Sequence, residues 1–182
     1  LDVREAGERS PSVDRSLRIA RYKSGKYTIE RPLHLGASLA ITNEAERKDL
    51  TNILSAYGLP LGEAFQLRDD MLGIFGDPSV TGKPAGDDLR EGKQTMLIAH
   101  ATSSASEPDR QFLLAHLGSA SIAEATIAKL QTILIECGSQ DFIEERIAAG
   151  LATAMSALSE ITDQESNSAL AALAILATNR TA

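Results

Sequence analysis

Apolar side chains recur along this chain at helical spacing, and no stretch alternates polar with apolar residues for long enough to make a strand. The clearest run opens at Asn43-Glu44-Ala45-Glu46. This is a capping box, in which Asn43 accepts from the third helical amide and Glu46 reaches back. Leu50, Ile53, Leu54, Tyr57 and Leu61 then keep helical register. Phe65 and Leu72 carry it on to a stop around Gly76-Asp77-Pro78. Gly58 and Pro60 should kink or split this helix. Upstream, Gly7, Ser10, Pro11 and Ser12 mark a loop. One helix is expected from Asp14 to about Ser24, with a break at Gly25. A second is expected from Tyr27 to Ile41, with Pro32 in its first turn. Segment 76–94 is rich in glycine, proline and charge and reads as a loop. Beyond it, helices are expected near 95–104, 108–117, 122–136, 141–161 and 165–178. Ser121…Glu124 should begin the third of these and Thr162…Glu165 the last. The fold class is all-α.

Size and charge narrow the function. The chain has 182 residues, one domain of roughly 150 residues or most of one. With 18 basic and 25 acidic side chains and a net charge of −7, it cannot neutralise a phosphate backbone at large, so nucleic acid is excluded as a general partner. Cys137 is the lone cysteine, which excludes a disulfide framework and a cysteine zinc site. The apolar run from Ala169 to Ala177 falls short of the ~20 residues that span a bilayer. With no secretory signal at the front, no membrane span and a cytoplasmic setting are expected. The chain opens Leu1-Asp2-Val3 and not with methionine, which points to a piece of a longer parent.

The chemistry concentrates in Gly62-Glu63-Ala64-Phe65-Gln66-Leu67-Arg68-Asp69-Asp70 and the loop that follows. On a helix Gln66, Asp69 and Asp70 share one face. Adjacent carboxylates repel and resist desolvation, so a cation between or opposite them is the economical arrangement. Hard oxygen donors with no His or Cys nearby suit Mg²⁺, or Mn²⁺, and not zinc. Magnesium completes its octahedron with water and phosphate oxygens, and a phosphate partner would want lysines such as Lys83 and Lys93. A solvated helix face is the plain alternative for Asp69 and Asp70. Asp87 and Asp88 stand open between loop solvation, helix capping and water-mediated metal contact. Gly76…Gly82-Lys83 is no nucleotide-binding P-loop: five residues separate the glycines, and Pro84 stands where a magnesium-holding hydroxyl is needed. Tyr22-Lys23-Ser24-Gly25-Lys26-Tyr27 is either a surface turn or a kinked helix presenting carbonyls and an ammonium to a cavity. His34, His100 and His116 lie far apart without ligand spacing and read as structural or surface residues.

Gly62-x-x-Phe65-Gln66-x-x-Asp69-Asp70, followed by Gly82-Lys83-x-x-Gly86-x-Asp88-Leu89-x-x-Gly92-Lys93-x-Thr95, resembles the second aspartate-rich motif of trans-isoprenyl diphosphate synthases, the polyprenyl synthetases. Lys23-Ser24-x-x-Tyr27 is similar to the family's Lys-Thr motif, with Ser for Thr. Leu1-Asp2-Val3 is similar to the residues after its Gly-Gln pair. The resemblance implies an antiparallel helical bundle of the isoprenoid synthase type. Residues 1–182 would be its C-terminal part, with the N-terminal helices and the first aspartate-rich motif missing. It implies that Asp69 and Asp70 bind Mg²⁺ and that Lys23, Lys83 and Lys93 hold an allylic diphosphate. Ser24, Gln66 and the Lys23 carbonyl would line the place where the allylic cation forms. The usual third acid is Gly73 here, with Asp77 four residues on as a candidate third metal ligand.

The implied reaction is head-to-tail chain elongation of an allylic prenyl diphosphate with isopentenyl diphosphate, by a homodimeric transferase. The 182-residue chain alone is expected to bind diphosphate weakly and turn over nothing, with the parent active. Two other readings share the fold: a non-catalytic partner subunit or scaffold, and a class I terpene cyclase that uses no isopentenyl substrate.

Overall fold

The computed structural model describes residues 12–82, 84–119 and 121–180, and every regular element among them is helical. The all-α expectation therefore holds. The order is α1 (Val13–Ala20), a π-helix (Arg21–Glu30), α2 (Arg31–Ala40), α3 (Glu44–Phe75), α4 (Pro78–Thr81) and α5 (Asp87–Glu91). Then come α6 (Met96–Ser104), α7 (Glu107–His116), α8 (Glu124–Glu136), α9 (Ser139–Ala157), a 3₁₀ turn (Leu158–Glu160) and α10 (Gln164–Thr178).

Two expected breaks are absent. Gly25 does not interrupt the first helix: α1 passes straight into the 10-residue π-helix and on into α2. Gly25 is buried against α3 there, and packing overrides its weak helix propensity. Nor do Gly58 and Pro60 split the long helix, because α3 runs unbroken through 32 residues with Pro60 inside it. Proline leaves the carbonyl one turn back without its amide partner. The loss is tolerated where α9, at Gly150, packs directly on Pro60 and Ala64.

The helix starts follow local chemistry. Asn43 Oδ1 accepts from the backbone N–H of Ala45 at 2.9 Å and of Glu46 at 3.2 Å, as the capping box requires. Thr162 and Ser121 do not cap. Asp163, the stronger capping residue, takes the amide of Ser166 at 2.8 Å and starts α10. Ala123 stands at the start of α8 with no side-chain cap, because a turn from Ser119 to Ile122 places Ser121 ahead of the first helical residue. Segment 76–94 is not all loop, since α4 and α5 lie within it.

The chain divides into two compact units, one built on Asp69–Glu145 together with the described residues up to Ile19, the other on Ala20–Arg68 and Arg146–Arg180. In the first, Ile74, Leu89, Leu113, Leu130 and Leu134 are completely buried. In the second, Tyr57, Leu61, Ala154, Leu158 and Ala174 form the core, with Ile29, Leu33, Leu151 and Leu170 packed on it. Among the described residues no helix is long and apolar enough to cross a membrane.

The core of the second unit contains a titratable strut. The Tyr57 O–H donates to the carbonyl of Leu170 at 2.8 Å, and burial pushes its pKa from 10.0 up to about 12. The folded value lies above the unfolded one. This contribution is therefore complete below pH 10 and is lost as pH rises through about 12. Urea unfolding followed from pH 9 to pH 12 should show falling stability, and Tyr57→Phe should flatten that decline.

Candidate functional site

In the second unit the π-helix meets α3 backbone to backbone. A π-helix bonds i to i+5, and such turns are frequent at functional sites; here the Arg31 N–H reaches the Lys26 carbonyl. A Cβ on Gly62 would lie 2.6 Å from the nitrogen of Gly25 and 2.7 Å from the carbonyl oxygen of Ser24. Neither chain could come so close with a side chain at 62. The contact sets Ser24 against Gln66 one turn further along α3, and the Ser24 hydroxyl donates to Gln66 Oε1 at 2.6 Å. Both residues are buried, at 3% and 8% exposure. Lys23 is exposed, and its carbonyl accepts from the Thr28 hydroxyl at 3.2 Å. Beside them Glu63 lies 3.7 Å from Arg21. Burial raises its pKa, against the pull of Arg21 and Arg146. The segment 22–27 is thus a specialised helix and not a surface turn.

Asp69 and Asp70 follow Gln66 on α3, with Asp69 exposed and Asp70 half-buried. In the first unit, Asp77 caps a helix. Its Oδ1 accepts from the Ser79 amide at 2.8 Å and caps α4. That bonding, from the side chain and the backbone of Ser79, holds Asp77 below the usual carboxylate pKa. Among the described residues no three His, Cys, Asp or Glu side chains gather into a metal-ready group. Among the described residues, Asp69, Asp70 and Asp77 do not form such a group. The donor chemistry still fits magnesium, which commonly rests on one or two carboxylates and takes its other oxygens from phosphate and water.

Asp88 is neither a solvated loop acid nor a helix cap. It is buried, and α5 starts at Gly86 without a side-chain cap. Its Oδ1 lies 2.5 Å from Lys93 Nζ, which also reaches Glu91 Oε2 at 3.1 Å. Burial, first of all, raises the Asp88 pKa, and the bond from Lys93 opposes it. Lys93 keeps its side chain 45% exposed, and its ammonium carries three donors. Lys83 and Leu1-Asp2-Val3 lie outside the described residues. The histidines are structural, as expected: His34 bonds Ser55 and the Thr51 carbonyl, His100 stacks on Phe142, and His116 bonds the Phe112 carbonyl.

Sequence reasoning assigned no role to two positions within the run it singled out. Gly62 is the contact that brings Ser24 to Gln66. Arg68 Nε donates to the carbonyl of Thr178 at 2.7 Å, placing a cation at the C-terminus of α10. The glycine four residues before Gln66 was the visible signal for the first; the second had none. Gly62→Ala should destabilise the fold by about 2 kcal/mol, because backbone atoms cannot yield to the new methyl. Gly36→Ala on α2, where a Cβ would meet nothing within 4 Å, should instead gain up to about 1 kcal/mol. Thermal unfolding of the two variants side by side checks both signs.

Residues 1–134 match the family model described as polyprenyl synthetase. A short chain isoprenyl diphosphate synthase of Methanocaldococcus jannaschii is 35% identical over 124 residues, covering 68% of this chain and 36% of that protein. A geranylgeranyl diphosphate synthase of Mycobacterium tuberculosis is 33% identical over 150 residues, covering 80% of this chain and 41% of that one. Among solved structures, a geranylgeranyl pyrophosphate synthase from Corynebacterium glutamicum, complexed with isoprenyl diphosphate and magnesium, superposes with a TM-score of 0.91 at 38% identity. It covers 98% of this chain and 50% of that chain. The chain thus spans half or less of the length of each of these proteins. With the helical fold, the glycine contact under Ser24 and Gln66, and the paired acids of α3 all in place, the chain belongs to the polyprenyl synthetase family.

Proposed function

We propose that the protein containing this chain elongates an allylic prenyl diphosphate with isopentenyl diphosphate. The observation that carries this reading is the Ser24–Gln66 bond, 2.6 Å long and buried, formed on the helix that bears Asp69 and Asp70 one turn later. In this reading the allylic carbon–oxygen bond ionises, and the electron pair leaves with the diphosphate. The isopentenyl double bond then attacks the cation, and a proton is lost to the departing diphosphate.

Each residue meets one demand of that chemistry. Lys23, Lys83 and Lys93 hold the diphosphate as its charge grows. Ser24 and Gln66 turn fixed oxygen dipoles toward the cation, and the apolar walls of their helices exclude water. Asp69 and Asp70 would hold Mg²⁺, or Mn²⁺, which supplies charge neutralisation to the leaving diphosphate when bound. The similar Corynebacterium glutamicum enzyme was crystallised with isoprenyl diphosphate and magnesium, which supports that ion. The chain serves as the C-terminal part of one helical domain, completed by preceding helices that bring the first acid motif, and the whole acts as a homodimer. Asp77, whose Oδ1 caps α4, remains a candidate third ligand.

The test uses the intact protein, Mg²⁺ and an allylic diphosphate. Asp69→Ala should weaken Mg²⁺-dependent binding at least about tenfold, the loss of one charged contact to the metal–phosphate cluster. Equal affinities would remove the metal assignment. Product analysis with and without isopentenyl diphosphate separates elongation from cyclisation, and no product under either condition would favour a scaffold.

A further inference from the structure

We propose that Gly73, Asp88 and Lys93 act as one unit: the empty side-chain position at 73 is the berth for the Asp88 carboxylate, and that carboxylate orients the Lys93 ammonium for an incoming diphosphate. Gly73 stands four residues after Asp69 on α3, on the same helical face. A Cβ built there would lie 2.5 Å from Asp88 Cγ and 2.9 Å from Asp88 Oδ1. A side chain at 73 and the carboxylate of 88 cannot both be present in this arrangement. The position therefore has not simply lost an acid. The space is taken by an acid that enters from α5.

The second half of the unit is electrostatic. Asp88 is only 7% exposed, and a carboxylate so placed needs a charged partner. Lys93 supplies it and is tied to the same residue a second time through the main chain. Its Nζ lies 2.5 Å from Asp88 Oδ1, and its backbone N–H donates to the Asp88 carbonyl at 3.0 Å. Gly92 closes α5 in the left-handed region and turns the chain back for that second bond. Lys93 is thus held by main chain and side chain to one residue while its ammonium stays partly exposed. A lysine fixed in this way loses less rotamer freedom when it takes up a phosphate. Asp88 is a positioning residue, acting through Lys93.

The inference rests on the reading of Lys93 as a diphosphate ligand, and two measurements on the intact protein keep the claims apart. The first is calorimetric titration with inorganic pyrophosphate and Mg²⁺. Lys93→Ala and Asp88→Asn should each weaken binding about tenfold, the worth of a charge-assisted bond. Adding Asp88→Asn to Lys93→Ala should weaken it no further. If Lys93→Ala binds like wild type, the diphosphate reading fails and the orienting role with it. If Lys93→Ala weakens binding but Asp88→Asn does not, or still costs affinity without Lys93, the orienting role alone is overturned. The second is thermal unfolding. Gly73→Ala should lower the melting temperature by about 5 °C. In an Asp88→Gly background the same substitution should be neutral or stabilising, since alanine is the better helix former. An equal penalty in both backgrounds would overturn the berth.

Discussion

The contact between Gly25 and Gly62 sets the geometry on which the candidate chemistry of the second unit depends. Two helical backbones touch there with nothing between them, a Cβ at 62 falling 2.6 Å from the Gly25 nitrogen. Hydrophobic packing alone would hold helix axes about 8–10 Å apart and leave short polar side chains unable to meet. Removing the side chains at the crossing lets a serine hydroxyl reach a glutamine amide in a buried place, without water between them. The cost is entropic, because glycine gives up more freedom on folding than any other residue. The surrounding core of Tyr57, Leu61, Ala154, Leu158 and Ala174 helps to offset it.

Electrostatics divide the charged residues into those that are spoken for and those available. Asp88 is paired with Lys93, Asp77 accepts from an amide at the start of α4, and Glu63 feels two nearby arginines. Asp69 stands exposed on α3, and its charge is felt by Asp88. An exposed carboxylate next to another on one helix stores repulsion that a divalent cation relieves.

Much of this was legible from residue spacing. The apolar run from Leu50 to Leu72 predicts α3, Asn43 predicts its start, and Gln66, Asp69 and Asp70 follow on the same helix. What escaped depends on partners distant in the chain. Gly25 reads as a helix breaker until Gly62 is placed against it. A π-helix differs from an α-helix only in which carbonyl each amide selects, and composition does not record that choice. Pro60 looks like a split because its missing N–H is visible in the sequence, whereas the packing of α9 that carries the helix through is not. The role of Asp88 stays open in the sequence because its burial depends on the absence of an atom at 73. The shift of a cap from Thr162 to Asp163 is a contest between two adjacent good candidates.

The wide turns from Arg21 to Glu30 carry a consequence of their own. A helix that bonds i to i+5 contains more residues per turn than an α-helix. Deleting a single residue between Lys23 and Thr28 would let the stretch relax to ordinary α-helical bonding. The angle between side chains on either side of the deletion would then change, because fewer residues fill each turn. Ser24 and the anchoring residue Ile29 could no longer both face the long helix. The extra residue is thus a phase adjuster, tolerant of substitution on its exposed side and intolerant of any change in length.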